Sequence, residues 1–162
     1  MTTTEYNESV NLYADRVYRF IVKQVRDSEL ARDVVQDTFE KLWRKVETVQ
    51  FEKVRSHLFT TAYHTLVDVL RREKKKDRYN EKAFRNIEDS TPGYTGLNEA
   101  LHNALNQLPE IQRSVILLRD YEGYSYEEIG EMANLTETQV KVYIFRGRQT
   151  LRTIIGNPEA VL

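Results

Sequence analysis

Apolar residues recur at three- and four-residue spacing along most of the chain, and no stretch alternates as a strand does, so the pattern predicts an all-α protein. From Asn7 to Arg26 the stripe is Val10, Tyr13, Ala14, Val17, Ile21 and Val25, with Phe20 beside it. Asp27-Ser28 breaks this helix and can cap the next. A second runs from Glu29 to Val46 on Ala31, Val34, Val35, Thr38, Phe39, Leu42 and Val46. Glu47 to Lys53 reads as a loop, and a third helix, about Arg55 to Lys75, uses Leu58, Phe59, Ala62, Leu66, Val69 and Leu70. Periodicity then collapses from about Tyr79 to Asn98, where Ser90-Thr91-Pro92-Gly93 and Gly96 supply turn chemistry. It returns with Ala100, Leu101, Ala104, Leu105 and Leu108. Pro109 suits the first position of a further helix carrying Ile111, Val115, Leu118 and Tyr121, which Glu122-Gly123 ends. The expectation is two small helical domains, 5–76 with three helices and 99–156 with four, joined by a flexible linker at 77–98.

The strongest local signal lies at Tyr124 to Leu151. Ser125 with Glu128 and Thr136 with Gln139 each have the spacing of a capping box, and Tyr124 with Ile129 and Leu135 with Val140 that of a hydrophobic staple. Ala133, Asn134 and Leu135 leave room only for a tight turn, which gives a helix-turn-helix pattern. In its second helix Val140, Ile144, Gly147, Leu151 and Ile154 form the core stripe. Gly147 there implies close packing against the preceding helix. Thr138, Lys141, Val142, Tyr143, Phe145, Arg146, Arg148 and Arg152 face outward. Such side chains can bond base edges and phosphates or touch thymine methyls, while Glu137 suits the helix dipole.

Charge adds a second place. The net charge is −1, with no broad basic field, yet Arg71 to Arg78 holds six bases against two acids. The polar and charged residues Arg32, Asp33, Gln36, Asp37, Glu40, Lys41, Arg44 and Lys45 on the outer side of the second helix read, from periodicity, as a solvated face. No apolar run approaches the ~20 residues of a membrane span, and no signal segment opens the sequence, so a cytoplasmic protein without membrane insertion is expected. Cysteine is absent, and His57, His64 and His102 make no ligand pair, so neither metal nor cofactor is expected. No phosphate loop or nucleophile elbow occurs, which argues against an enzyme or a small-molecule substrate. Trp43, beside the core stripe, reads as a packing residue.

Three motifs in order resemble those of extracytoplasmic-function (ECF) sigma factors of RNA polymerase: ARDVVQDTFEKLW (Ala31 to Trp43), SHLFTTAYHTLVDVLRR (Ser56 to Arg72) and LPEIQRSVILLRDYEGYSYEEIGEMANLTETQVKVYIFRGR (Leu108 to Arg148). The resemblance covers nearly the whole chain outside the linker and the tails. It implies a non-enzymatic, monomeric initiation factor whose first domain is sigma region two and whose second is region four. Asp33, Gln36, Asp37, Glu40 and Arg44 then become contacts to core RNA polymerase. The loop Glu47 to Lys53 and the following helix, with His57, Tyr63, His64, Asp68, Arg71, Arg72 and Lys75, become the minus-ten promoter DNA contacts. Thr136, Thr138, Gln139, Lys141, Val142, Tyr143, Phe145, Arg146 and Arg148 become the minus-thirty-five contacts. An anti-sigma factor, wedged between the domains, is implied as a further partner. His57 stands where the family usually has Trp, Tyr63-His64 where it has Arg-Asn, and Tyr143 where it commonly has Arg; Tyr143 and Phe145 beside Arg146 are therefore where the minus-thirty-five preference is expected to differ from that of its relatives.

Two other readings stay open. A stand-alone helix-turn-helix regulator would bind duplex DNA without polymerase but leaves the first domain unexplained. A sigma mimic that sequesters an anti-sigma protein typically carries a receiver domain, for which the chain has no room.

Overall fold

The computed structural model of the chain describes residues 1–79 and 96–156. Ser90-Thr91-Pro92-Gly93, on which the linker expectation rests, lie outside the described residues. The chain divides into two compact units.

In the first unit α1 (Thr3–Val25), α2 (Ser28–Arg44) and α3 (Val54–Tyr79) each pack against the other two. α1 begins at Thr3 and not at Asn7. A capping box sets that start: the Glu5 amide donates to the Thr2 hydroxyl at 3.1 Å and the Thr2 amide to the Glu5 carboxylate at 2.8 Å. It ends on Arg26 in the left-handed region, φ 53°. Asp27 then caps α2, accepting from the amides of Glu29 and Leu30 at 3.1 Å. α2 stops at Arg44, short of Val46, and the expected loop contains one 3-10 turn at Phe51–Lys53. α3 runs on past Lys75 to Tyr79.

The core of this unit holds Val17, Phe20 and Ile21 against Ala31, Val34, Leu42, Leu58, Phe59, Ala62 and Leu66. Phe20 and Phe59 meet edge to face, with centroids 5.5 Å apart. Burying each such side chain contributes about 1.5–3 kcal/mol. Phe20 is thus central to the α1 stripe, while Val10, Tyr13, Ala14 and Val25 are only half-buried. Buried Ser9 satisfies its hydroxyl on the Glu5 carbonyl at 2.8 Å.

The second unit holds α4 (Gly96–Asn106), α5 (Glu110–Ile116), α6 (Tyr126–Ala133) and α7 (Glu137–Ile155). Gly96 opens α4 and is no part of a turn. Pro109 is the cap of α5, one place before the expected position. α5 runs into a π-turn at Leu117–Tyr121, where the Glu122 amide donates to the Leu117 carbonyl at 3.1 Å. The wider turn rotates Tyr121 outward, so it is exposed and does not extend the stripe. α7 packs against α4, α5 and α6 and is the element on which this unit is assembled. Between α6 and α7 the chain turns at Asn134, φ 57° and ψ 49°, a left-handed position that Asn tolerates. Gly130 permits the turn, because a Cβ there would lie 2.7 Å from the Leu135 carbonyl oxygen.

Candidate functional site

On α2, Asp33, Gln36, Glu40 and Arg44 are exposed and share one face, as their three- and four-residue spacing requires. Asp37 at its edge pairs with Lys41 at 3.2 Å, and the Lys41 ammonium also donates to the Thr65 hydroxyl of α3 at 2.9 Å. Trp43 is not a packing residue. It is 49% exposed, and the position places it on the same face as Gln36 and Glu40. Its ring stands edge-on to Tyr6 at 5.0 Å, and the Tyr6 hydroxyl donates to the Phe39 carbonyl at 3.1 Å. Burial, and then the Glu40 carboxylate, raises the Tyr6 hydroxyl pKa. The face therefore combines charge with a large, anchored aromatic.

On α3, His57, His64, Asp68, Arg71, Arg72 and Lys75 fall within one stripe, given roughly 100° per residue. That stripe lies opposite Leu58, Phe59, Ala62 and Leu66. Arg71, Arg72 and Lys75 are exposed beside Lys74 and Lys76, and Asp68 holds Arg71 at 2.9 Å. His57 is half-buried, and burial followed by the nearby Lys45 lowers its pKa. Tyr63 departs from the expectation. It sits roughly 120° around the helix from the stripe and is only 6% exposed, so its ring is part of the core and is not offered to an unpaired base. Exposed His64 meets its edge at 5.4 Å. Half-buried Thr60 and Thr61, not among the expected contacts, lie between His57 and His64.

On α7, Thr138, Val142 and Phe145 run down the centre of the exposed face, with Gln149 continuing it, a residue visible only from the helical register. Phe145 is 63% exposed. Arg146 flanks it and makes no ion pair among the described residues, and half-buried Tyr143 lies on the same flank. The remaining expected contacts already have partners. Thr136 and Gln139 close a capping box on each other, at 3.1 and 2.9 Å, which occupies both side-chain oxygens. Lys141 pairs with Glu137 at 3.5 Å and lies 5.7 Å from the Tyr126 ring centroid. Arg148 is not a free outward cation. Asp120 of the π-turn holds it at 2.6 and 3.3 Å, and that hydrogen bond raises its pKa. A partly exposed pair of this kind contributes about 0–1 kcal/mol to stability.

Among the described residues no cluster of three or more His, Cys, Asp or Glu is placed to hold a metal, and no helix is long and apolar enough to cross a membrane. What the two units offer are extended helical faces: acidic-aromatic on α2, basic with imidazoles on α3, and apolar-cationic on α7.

Comparison with known proteins gives these faces a context. Residues 10–76 match the sigma-70 region 2 family and residues 98–151 the sigma-70 region 4 family. The chain is 27% identical over 152 residues to the ECF RNA polymerase sigma factor SigM of Bacillus subtilis, spanning 91% of this chain and 93% of that one. It is 30% identical over 154 residues to the RNA polymerase sigma factor CarQ of Myxococcus xanthus, spanning 91% and 87%. In fold it is similar to the sigma factor RpoE of Bartonella quintana, solved in complex with the anti-sigma factor NepR, with a TM-score of 0.83 at 22% identity over 96% of this chain and 99% of that one.

Proposed function

The chain belongs to the ECF sigma factors, proteins of transcription initiation, and from that premise we propose that it binds core RNA polymerase and holds promoter DNA with two separate helices. The exposed face of α2, Asp33 to Arg44 with Trp43, docks on the polymerase. The α3 stripe, with His57, His64 and the Arg71 to Lys75 bases, meets the melted minus-ten strand over a basic track. The α7 face enters the major groove at the minus-thirty-five element.

The observation that carries this reading is the α7 face. Phe145, 63% exposed, stands on the second helix of a helix-turn-helix beside Arg146 and Val142. A large apolar side chain left in water at the centre of such a helix fits a thymine methyl, and the flanking Arg fits a guanine edge. A lone duplex binder would need no second basic stripe, which disfavours the stand-alone regulator. The net charge of −1 leaves DNA affinity dependent on the polymerase. Because the structural neighbour is bound to an anti-sigma factor, a protein of that class is the regulator we assign to this chain.

Purified chain added to core polymerase should produce promoter-specific transcripts from DNA upstream of genes induced when it is overexpressed. If it neither binds core enzyme nor starts transcripts at fixed positions, the reading is wrong.

A further inference from the structure

Arg148 has two environments at once. On one side the Asp120 carboxylate grips its guanidinium in a fork, Nη2 to Oδ1 at 2.6 Å and Nε to Oδ2 at 3.3 Å, across 28 residues of sequence. On the other it lines an open groove of about 440 Å³ along α7, with Tyr126, Lys141, Phe145, Gln149 and Arg152. The groove lining carries three cations and no acid. Arg119 adds to the local positive charge, 4.5 Å from the Tyr126 ring centroid. The carboxylates that meet these cations do so from outside the groove, Glu137 on Lys141 and Asp120 on Arg148.

A carboxylate and a phosphate offer a guanidinium the same pair of oxygens, and a planar Arg fork accepts either. A bare Arg148 beside Lys141 and Arg152 would attract any DNA backbone, whatever its sequence. We propose that Asp120 is a built-in stand-in for a DNA backbone phosphate: it occupies Arg148 in the free chain and withholds that guanidinium from the phosphates of a duplex of arbitrary sequence. The proposal rests on the reading of α7 as the duplex-facing helix. Its consequence is that Asp120 lowers sequence-independent attraction, so that Val142, Phe145 and Arg146 decide which duplex is kept. The π-turn supplies the geometry, since it carries Asp120 to the side of α7 on which Arg148 emerges.

The test uses the full-length chain and a short mixed-sequence duplex, titrated across a series of salt concentrations. Asp120→Asn, nearly the same size and at a partly exposed position, should bind several-fold more tightly at low salt. It should also steepen the slope of log K against log salt by about 0.9, the signature of one added phosphate contact on B-DNA. The steepening should vanish when Asp120→Asn is made in an Arg148→Ala chain, and Asp120→Glu should retain the wild-type slope. Equal slopes for wild type and Asp120→Asn, or the same steepening without Arg148, overturn the proposal: the pair is then only a tether. If no variant and no wild-type chain binds duplex at any salt, Asp120 is not what keeps the free chain off DNA and the proposal is overturned, whereas the reading of α7, which leaves DNA affinity to the polymerase complex, is not touched by that result.

Discussion

Gly147 of α7 faces Ile116 of α5 so closely that a methyl added to the glycine would overlap the Ile116 Cδ1, with Gln112 Cβ only 3.4 Å away. Ile116 is itself buried, so it has little room to withdraw. This contact sets how near α7 lies to the rest of its domain.

Gly147→Ala sets two effects against each other. Helix propensity favours Ala by about 1 kcal/mol, while overpacking a filled core costs about 1–3 kcal/mol. The expected sum is a net loss of about 1 kcal/mol in urea unfolding. Adding Ile116→Val removes the obstructing methyl, so the double variant should lose less than the two single losses added together. Strict additivity would show that the contact does not limit the packing.

Gly147 also shows what a one-dimensional pattern conveys. Its place on the buried stripe announces a close approach, but the partner is α5 and not the adjoining α6, because helices need not pack in the order in which they follow along the chain. The caps at Ser125 and Thr136 are legible because both partners lie three residues apart. Thr2 with Glu5 has the same spacing, yet no apolar stripe begins there to draw attention to it. The π-turn has no sequence signature, and neither the outward turn of Tyr121 nor the Asp120 grip on Arg148 can be read without it. Tyr63 turns inward and Trp43 outward, each against its expectation and for a related reason. Each lies on the border of an apolar stripe, where side-chain chemistry does not decide whether a ring turns in or out.

Tyr63 and His64 therefore separate stability from DNA handling. Tyr63→Ala removes a ring from the core and should cost about 3–5 kcal/mol, by analogy with other buried aromatics. His64→Ala, at an exposed position, should leave the unfolding midpoint within about 0.5 kcal/mol of wild type. It should nonetheless weaken promoter opening by the polymerase holoenzyme, followed with a fluorescent base in the minus-ten strand, by about 1–3 kcal/mol if a base stacks there. Normal opening by the His64 variant would remove it from the DNA face.

His57 makes stability depend on pH. Burial, with Lys45 nearby, holds its folded pKa below the unfolded value of about 6.5. Between those two values the unfolded chain binds more protons than the folded one, so stability rises with pH through the window and is lost as pH falls from about 6.5. The comparison is between wild type and His57→Gln, which differ only in this group. Urea midpoints measured from pH 7.5 to 5.5 should fall more steeply for wild type. Parallel curves would mean that His57 is as well solvated folded as unfolded.

The apolar centre of α7 gives the sharpest division between fold and promoter choice. Tyr143 and Phe145 both precede Arg146 in the sequence as candidates for setting the minus-thirty-five preference, but the helix treats them differently. Tyr143 is half-buried on the flank, whereas Phe145 projects from the middle at 63% exposure. Phe145→Ala should leave stability within about 0.5 kcal/mol of wild type, since the ring contributes little to the core. Removing a side chain that touches a base edge from the centre of a recognition helix costs about 1–3 kcal/mol of discrimination. Holoenzyme carrying Phe145→Ala should accordingly lose roughly five- to hundredfold of its preference for its own promoter over one altered at minus thirty-five. Tyr143→Arg should move that preference less, and mainly through added phosphate attraction that fades with salt. A larger shift from Tyr143→Arg than from Phe145→Ala, persisting at high salt, would place the reading surface on the flank of α7 and leave the exposed phenyl ring without a role in DNA.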